Sequence, residues 1–121
     1  SRFTEDYTFE ITFDGRRDGR EVVDITCMPK PGAAVVWGKV VVTVRGVDFL
    51  PLQSLYFDED MDPARTMTFD DIKDLGGRML PSRLTVQPED KPDERTVVTY
   101  QAIDFTVDLE DSFFSLRTLR R

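Results

Sequence analysis

The sequence predicts a mostly β fold: an antiparallel meander of about seven strands with little helix. Three observations carry this. Apolar and polar side chains alternate with period two along most of the chain. The alternating runs are short and are separated by turn residues. Almost no stretch reads as helix. At 121 residues there is room for one domain around one core.

The first strand is the clearest. Tyr7, Phe9, Ile11 and Phe13 alternate with Thr8, Glu10 and Thr12, the pattern of a half-buried strand. Asp18-Gly19 offers a tight hairpin turn. Val23, Ile25 and Cys27 then alternate with Asp24 and Thr26, and Pro29-Lys30-Pro31-Gly32 ends this second strand, because proline cannot donate to a ladder. Residues 36–45 are rich in β-branched side chains, with Val40, Val42 and Val44 on one face and Lys39, Thr43 and Arg45 on the other. A strand over about 50–58 follows Gly46, with Leu55 and Phe57 on one side, and 58–63 is a polar turn. Residues 65–73 read as a fifth strand through Met67 and Phe69. The alternative is a short helix capped at Thr68-Phe69-Asp70-Asp71 and ending at Gly76-Gly77. Residues 79–87 turn Leu80, Leu84 and Val86 inward, and 87–93 form a loop. The last strand, about 94–107, changes apolar parity after Ala102, so a bulge near 102–103 is expected. The tail over 109–119 reads as a turn of helix or an irregular segment anchored by Phe113, Phe114 and Leu116.

Short connections between successive strands favour antiparallel neighbours. The resulting sheet is apolar on one face and carries Thr, Glu, Arg and Lys on the other. The apolar face needs a cover. Either the sheet curls on itself, or a segment outside this chain covers it, or a ligand does.

Composition narrows the chemistry. The 16 basic and 23 acidic residues give a net charge of −7, which repels phosphate backbones and anionic membranes, so no nucleic-acid partner is expected. No apolar run approaches the ~20 residues of a membrane-spanning helix. The chain has no His, which removes Ser-His-Asp and Cys-His nucleophile systems and His-ligated metal sites. The lone Cys27 has no internal disulfide partner and reads as a small buried hydrophobe.

Several clusters invite a chemical role and fit it poorly. Asp58, Asp60 and Asp62 have the spacing of a calcium loop, but Pro63 and Phe69 stand where that loop wants Gly and Glu, so a solvated hairpin turn fits better. Asp70, Asp71 and Asp74 read as solvated surface. Gly76-Gly77-Arg78 lacks the Lys-Ser/Thr of a phosphate loop and reads as a turn needing positive φ. Arg16, Arg17 and Arg20 read as a solvated cluster around the first hairpin. Trp37 either packs on the sheet or lines a lipid groove. Neither enzyme activity, nor a metal, nor a cofactor is expected.

Distinctive stretches run in order along the chain: Glu5-Asp6-Tyr7, Pro29-Lys30-Pro31, Val36-Trp37-Gly38-Lys39-Val40, Leu50-Pro51, Tyr56-Phe57-Asp58, Thr68-Phe69-Asp70-Asp71-Ile72-Lys73, Gly76-Gly77-Arg78-Met79-Leu80-Pro81-Ser82-Arg83, Pro88-Glu89-Asp90-Lys91-Pro92, Thr96-Val97-Val98-Thr99-Tyr100 and Asp111-Ser112-Phe113-Phe114-Ser115-Leu116. Taken together, over roughly residues 5 to 119, they resemble the C-terminal half of the outer membrane lipoprotein-sorting family, the LolA-like proteins of bacteria.

The resemblance implies a periplasmic protein with a strongly curved antiparallel sheet, an incomplete barrel wrapped round helices, whose concave apolar cavity takes up acyl chains. It implies that residues 1–121 form a single fragment of that domain, with the leader, further strands and covering helices lying outside this chain. It brings no catalytic motif. Met61 stands where such relatives usually place Gly after the acidic turn. The expected function is carriage of a lipid or of lipoprotein acyl chains, with Trp37, Val40, Val42, Leu55, Phe57, Met67, Phe69, Leu84 and Val86 lining the cavity. The alternative is an interaction module that docks on an inner-membrane transporter through its sheet edge or acidic turns. An exposed edge would also favour a homodimer.

Overall fold

The computed structural model describes residues 2–101, and the side chains of residues 4–101. A short helix, α1 (Arg2–Asp6), leads into seven strands: β1 (Tyr7–Arg17), β2 (Arg20–Pro29), β3 (Lys39–Arg45), β4 (Pro51–Phe57), β5 (Pro63–Leu75), β6 (Arg78–Pro88) and β7 (Thr96–Thr99). They form one antiparallel sheet in the order β1-β2-β3-β4-β5-β6-β7, so each strand pairs with its neighbours in sequence. Among the described residues the sheet is open, with β1 and β7 at its ends. It is less curled than the resemblance implied. The expected bulge near 102–103 and the tail over 109–119 lie outside the described residues.

The tight turns follow their residues. Asp18 and Gly19 both take positive φ (54° and 77°) and join Arg17 to Arg20, and Gly76 and Gly77 (64° and 90°) join Leu75 to Arg78. Both are two-residue connections whose twist matches the flanking strands. The hairpin at Gly76-Gly77 settles the choice at 65–73 in favour of strand. Its second strand gives Asp70 a cross-strand partner, the Arg83 guanidinium, at 2.7 and 3.0 Å. The third strand begins at Lys39 rather than 36, because Val35, Val36 and Trp37 belong to the connection that follows β2.

Register puts one residue from each of six strands into the core: Tyr7, Cys27, Val40, Tyr56, Met67 and Leu84. Cys27 faces Val40 and Val40 faces Tyr56, so the row crosses the sheet on a single face. Ile25, Val42, Phe69, Val86 and Val98 extend that face and are half-buried. The half-buried pattern expected of β1 holds only at its start. Tyr7 is buried, whereas Phe9 and Ile11 are 48% and 63% exposed. A register shift between Ile11 and Phe13 then breaks the alternation.

The opposite face carries most of the sheet's Thr, Asp and Arg side chains, with Val41, Leu55 and Phe57 among them. There Asp24 accepts from the Arg17 guanidinium at 2.7 Å and from the Thr43 hydroxyl at 2.6 Å. The guanidinium is the larger cause holding the Asp24 carboxyl below its usual range, and the Thr43 bond adds to it.

Candidate functional site

The candidate site is the apolar face and the groove at one end of it. Val40 and Met67 are buried in the face, as is Leu84, while Val42, Phe69 and Val86 are half-buried beside them. Leu55 and Phe57 are not on this face. Leu55 pairs with Val41 and Phe57 with Lys39, which puts both on the polar side, where the Lys39 ammonium sits 4.3 Å over the Phe57 ring. The reason is local. The β4 sequence has apolar residues at both parities, so alternation alone cannot say which faces inward. Register decides: Tyr56 lies opposite Val40, and Ser54 opposite Met67.

Trp37 reaches the face from outside the sheet. With Val35 it folds from the 30–38 connection onto the core row. Its ring lies 5.1 Å from that of Tyr56 at 49°, and its carbonyl accepts the Tyr7 hydroxyl at 3.0 Å. The Arg65 guanidinium sits 5.2 Å from the centroid of the Trp37 ring, a cation–π contact.

Beside Trp37 an open groove of about 250 Å³ runs between the 30–38 connection and the turn after β4. Met28, Val36 and Trp37 line one side, and Glu59 and Met61 line the other. Met28, Val36 and Met61 are all exposed, at 38%, 67% and 46%.

The two walls are joined at Gly38. Its N–H donates to the Phe57 carbonyl at 3.0 Å. A Cβ there would collide with the Asp58 carbonyl and sit 3.1 Å from Glu59 Cα, so only glycine allows this approach. The Asp58 carboxylate accepts the N–H groups of Asp60 and Asp62 at 2.9 and 3.0 Å and so shapes the turn. Met61 completes it at φ 65°, the left-handed conformation that glycine adopts without cost.

The remaining clusters are spoken for. Asp74 accepts the Gly77 N–H at 2.8 Å, Asp71 meets the Lys73 ammonium at 3.4 Å, and Arg16 meets Glu21 at 3.5 Å. Cys27 is buried, and burial pushes its thiol up to about 11. No group of acidic or sulfur side chains suited to a metal ion occurs among the described residues.

Sequence reasoning missed Met28 and Arg65, and it singled out Met61 only as a residue standing where the resembled family usually places Gly.

A protein-family model described as an uncharacterized protein matches residues 1–121. No curated protein matches. Three solved structures are similar. A LolA superfamily protein from Nitrosomonas europaea is 17% identical, with a TM-score of 0.69 over 91% of this chain and 52% of its own. A DUF1329 family protein from Desulfovibrio piger is 20% identical, with a TM-score of 0.72 over 91% of this chain and 45% of its own. A provisionally assigned outer membrane lipoprotein-sorting protein domain from Vibrio parahaemolyticus is 20% identical, with a TM-score of 0.71 over 97% of this chain and 49% of its own. The chain thus shares their fold and spans about half of the length of each.

Proposed function

The chain belongs to the family whose model spans residues 1–121, and from that premise and the LolA-like fold we propose that it is a non-enzymatic carrier in the bacterial periplasm. Its cargo is a lipid or the acyl chains of a lipoprotein, taken up on the apolar face and passed to or from an inner-membrane transporter. The observation that carries this reading is the set of apolar side chains Ile11, Ile25, Val42, Phe69 and Val86, half-buried or exposed on the face that holds the core row and broken in β4 by Ser54. Acyl binding asks little of the chemistry. Excluding water is worth about 25 cal/mol per Å² of apolar surface and ~0.8 kcal/mol per methylene.

The test is titration of the full-length protein with a fluorescent fatty acid. Saturable micromolar binding is expected, and Ile11→Asp, at a position already 63% exposed, should weaken it without unfolding the sheet. Absence of saturable binding would sink the carrier reading.

A second reading is favoured by the size of the groove. At about 250 Å³ and open to solvent, it is smaller than the ~300 Å³ at which enclosing small-ligand pockets begin. In that reading the face or a sheet end docks on a transporter or on a second copy of the chain. Light scattering of the full-length protein with and without fatty acid separates the two: a ligand-free monomer that binds fatty acid supports the carrier.

A further inference from the structure

We propose that the turn between β3 and β4 is a docking knob, whose Phe49 ring and Val47 side chain seat in an apolar pocket of a partner protein. The inference goes beyond the carrier reading and does not rest on it. In the meander this turn lies at the end of the sheet opposite the Trp37 groove.

Three observations converge on residues 45–50. The first is exposure. Val47 is 79% and Phe49 64% exposed, with only Asp48 between them. The other two turns at this end of the sheet are Asp18-Gly19 and Gly76-Gly77, which bring no large apolar side chain. The second is rigidity. The Arg45 guanidinium donates to both carboxylate oxygens of Asp48. The Arg45 carbonyl accepts the Phe49 N–H at 2.7 Å, and the Arg45 N–H donates to the Leu50 carbonyl at 2.8 Å. The Gly46 N–H ties the turn to β2 through the Glu21 carbonyl at 2.9 Å. The apolar pair is therefore held out in solvent by a closed network and not left there by a loose loop. The third is strain. Phe49 has φ 60°, a left-handed conformation that is costly for a bulky side chain and that Gly or Asn would adopt more easily. A phenyl ring kept there against that cost, and exposed, adds nothing to the core.

Side chains fixed before docking lose little entropy on binding, and aromatic anchors filling pockets carry much of the energy of protein interfaces. The occupant is a protein and not a bilayer. Arg45 and Asp48 pair with each other within the turn, and the chain's net charge of −7 opposes adsorption to an anionic membrane. A bilayer also rewards apolar area whatever its shape, whereas a rigid pair of side chains suits a shaped pocket.

The test starts with the full-length protein in the bacterial cells that make it, with Val47 replaced by a benzophenone-bearing amino acid. Irradiation should give one adduct with a second protein, and the same replacement at Val97, 50% exposed on β7, should not. The captured protein is then purified and titrated against variants. Phe49→Asn should weaken its binding about thirtyfold, as loss of an interface anchor does. Arg45→Gln, which loosens the turn without touching the knob, should weaken it severalfold, and Val97→Asn should leave it unchanged. Phe49→Asn should also leave the urea midpoint of the free protein unchanged or raise it, because Asn tolerates the left-handed conformation. Loss of binding with stability retained supports the knob. An adduct with lipid would assign the turn to a membrane and overturn the inference, and an adduct within the same polypeptide would assign it to internal packing and overturn it too. So would the absence of any adduct, an affinity that Phe49→Asn does not move, or a fall in the urea midpoint, which would make Phe49 a structural residue. None of these outcomes bears on fatty-acid binding, so the carrier reading stands or falls separately.

Discussion

Gly38→Ala probes the joint on which the groove depends. The added methyl would meet two backbone groups, the Asp58 carbonyl and Glu59 Cα, and neither can swing aside as a side chain could. The same Asp58 carbonyl accepts the Met61 N–H at 3.0 Å, and the Asp58 N–H donates to the Asp62 carbonyl at 2.9 Å, so moving the carbonyl loosens the turn. Overpacking of this kind costs ~1–3 kcal/mol, and a clash against backbone belongs at the upper end. Alanine recovers up to ~1 kcal/mol by restricting the unfolded chain. The net loss is therefore about 2 kcal/mol, which lowers the melting temperature of a domain this size by roughly 8 °C. Gly15→Ala is the control. Its Cβ would lie 3.5 Å from Phe13 Cζ, an ordinary contact, and should change stability by less than ~0.5 kcal/mol. Urea melts of the wild type and both variants, followed by circular dichroism, measure the difference. If Gly38→Ala proved as stable as Gly15→Ala, the two walls would not be held together at this glycine.

Other substitutions test the same structure. Met61→Gly should raise the urea midpoint, because removing a left-handed non-glycine residue returns ~1–2 kcal/mol against ~0.5–1 kcal/mol of glycine's backbone entropy; a fall would mean that the Met61 side chain contributes more than its strain costs. Asp24→Asn should cost about 1 kcal/mol near neutral pH. Since the folded Asp24 carboxyl titrates below its usual value, its contribution is complete above the unfolded pKa of ~3.9 and is lost as pH falls through the depressed folded value; stability measured from pH 6 to pH 2 should show a shallower acid limb in the variant. Cys27, 1% exposed and with its thiol pushed up to about 11, should resist a thiol reagent at pH 8 and react at the rate of opening when urea is added; fast labelling of the folded protein would contradict its place in the core.

What was legible in the sequence was set by how local each decision is. The Asp18-Gly19 and Gly76-Gly77 turns could be read because a two-residue hairpin demands positive φ from the residues that make it. The facing of β3, β5 and β6 could be read at Val40, Val42, Met67 and Leu84 because Lys39, Thr43, Thr66, Thr68 and Arg83 occupy the other parity. In β4 the pattern fails for the same physical reason. Leu55 and Phe57 compete with Tyr56, and one-residue parity reverses the face of every side chain in a strand. Only the pairing with β3 breaks that tie, and pairing is a long-range fact. The groove is more remote still. Its walls come from separate connections that meet because Gly38 lacks a Cβ. Alternation reports burial against solvent along one strand. Which side chains share a site depends on contacts between strands and loops, so local pattern could place a core residue while leaving Met28 an ordinary strand residue with no link to Met61.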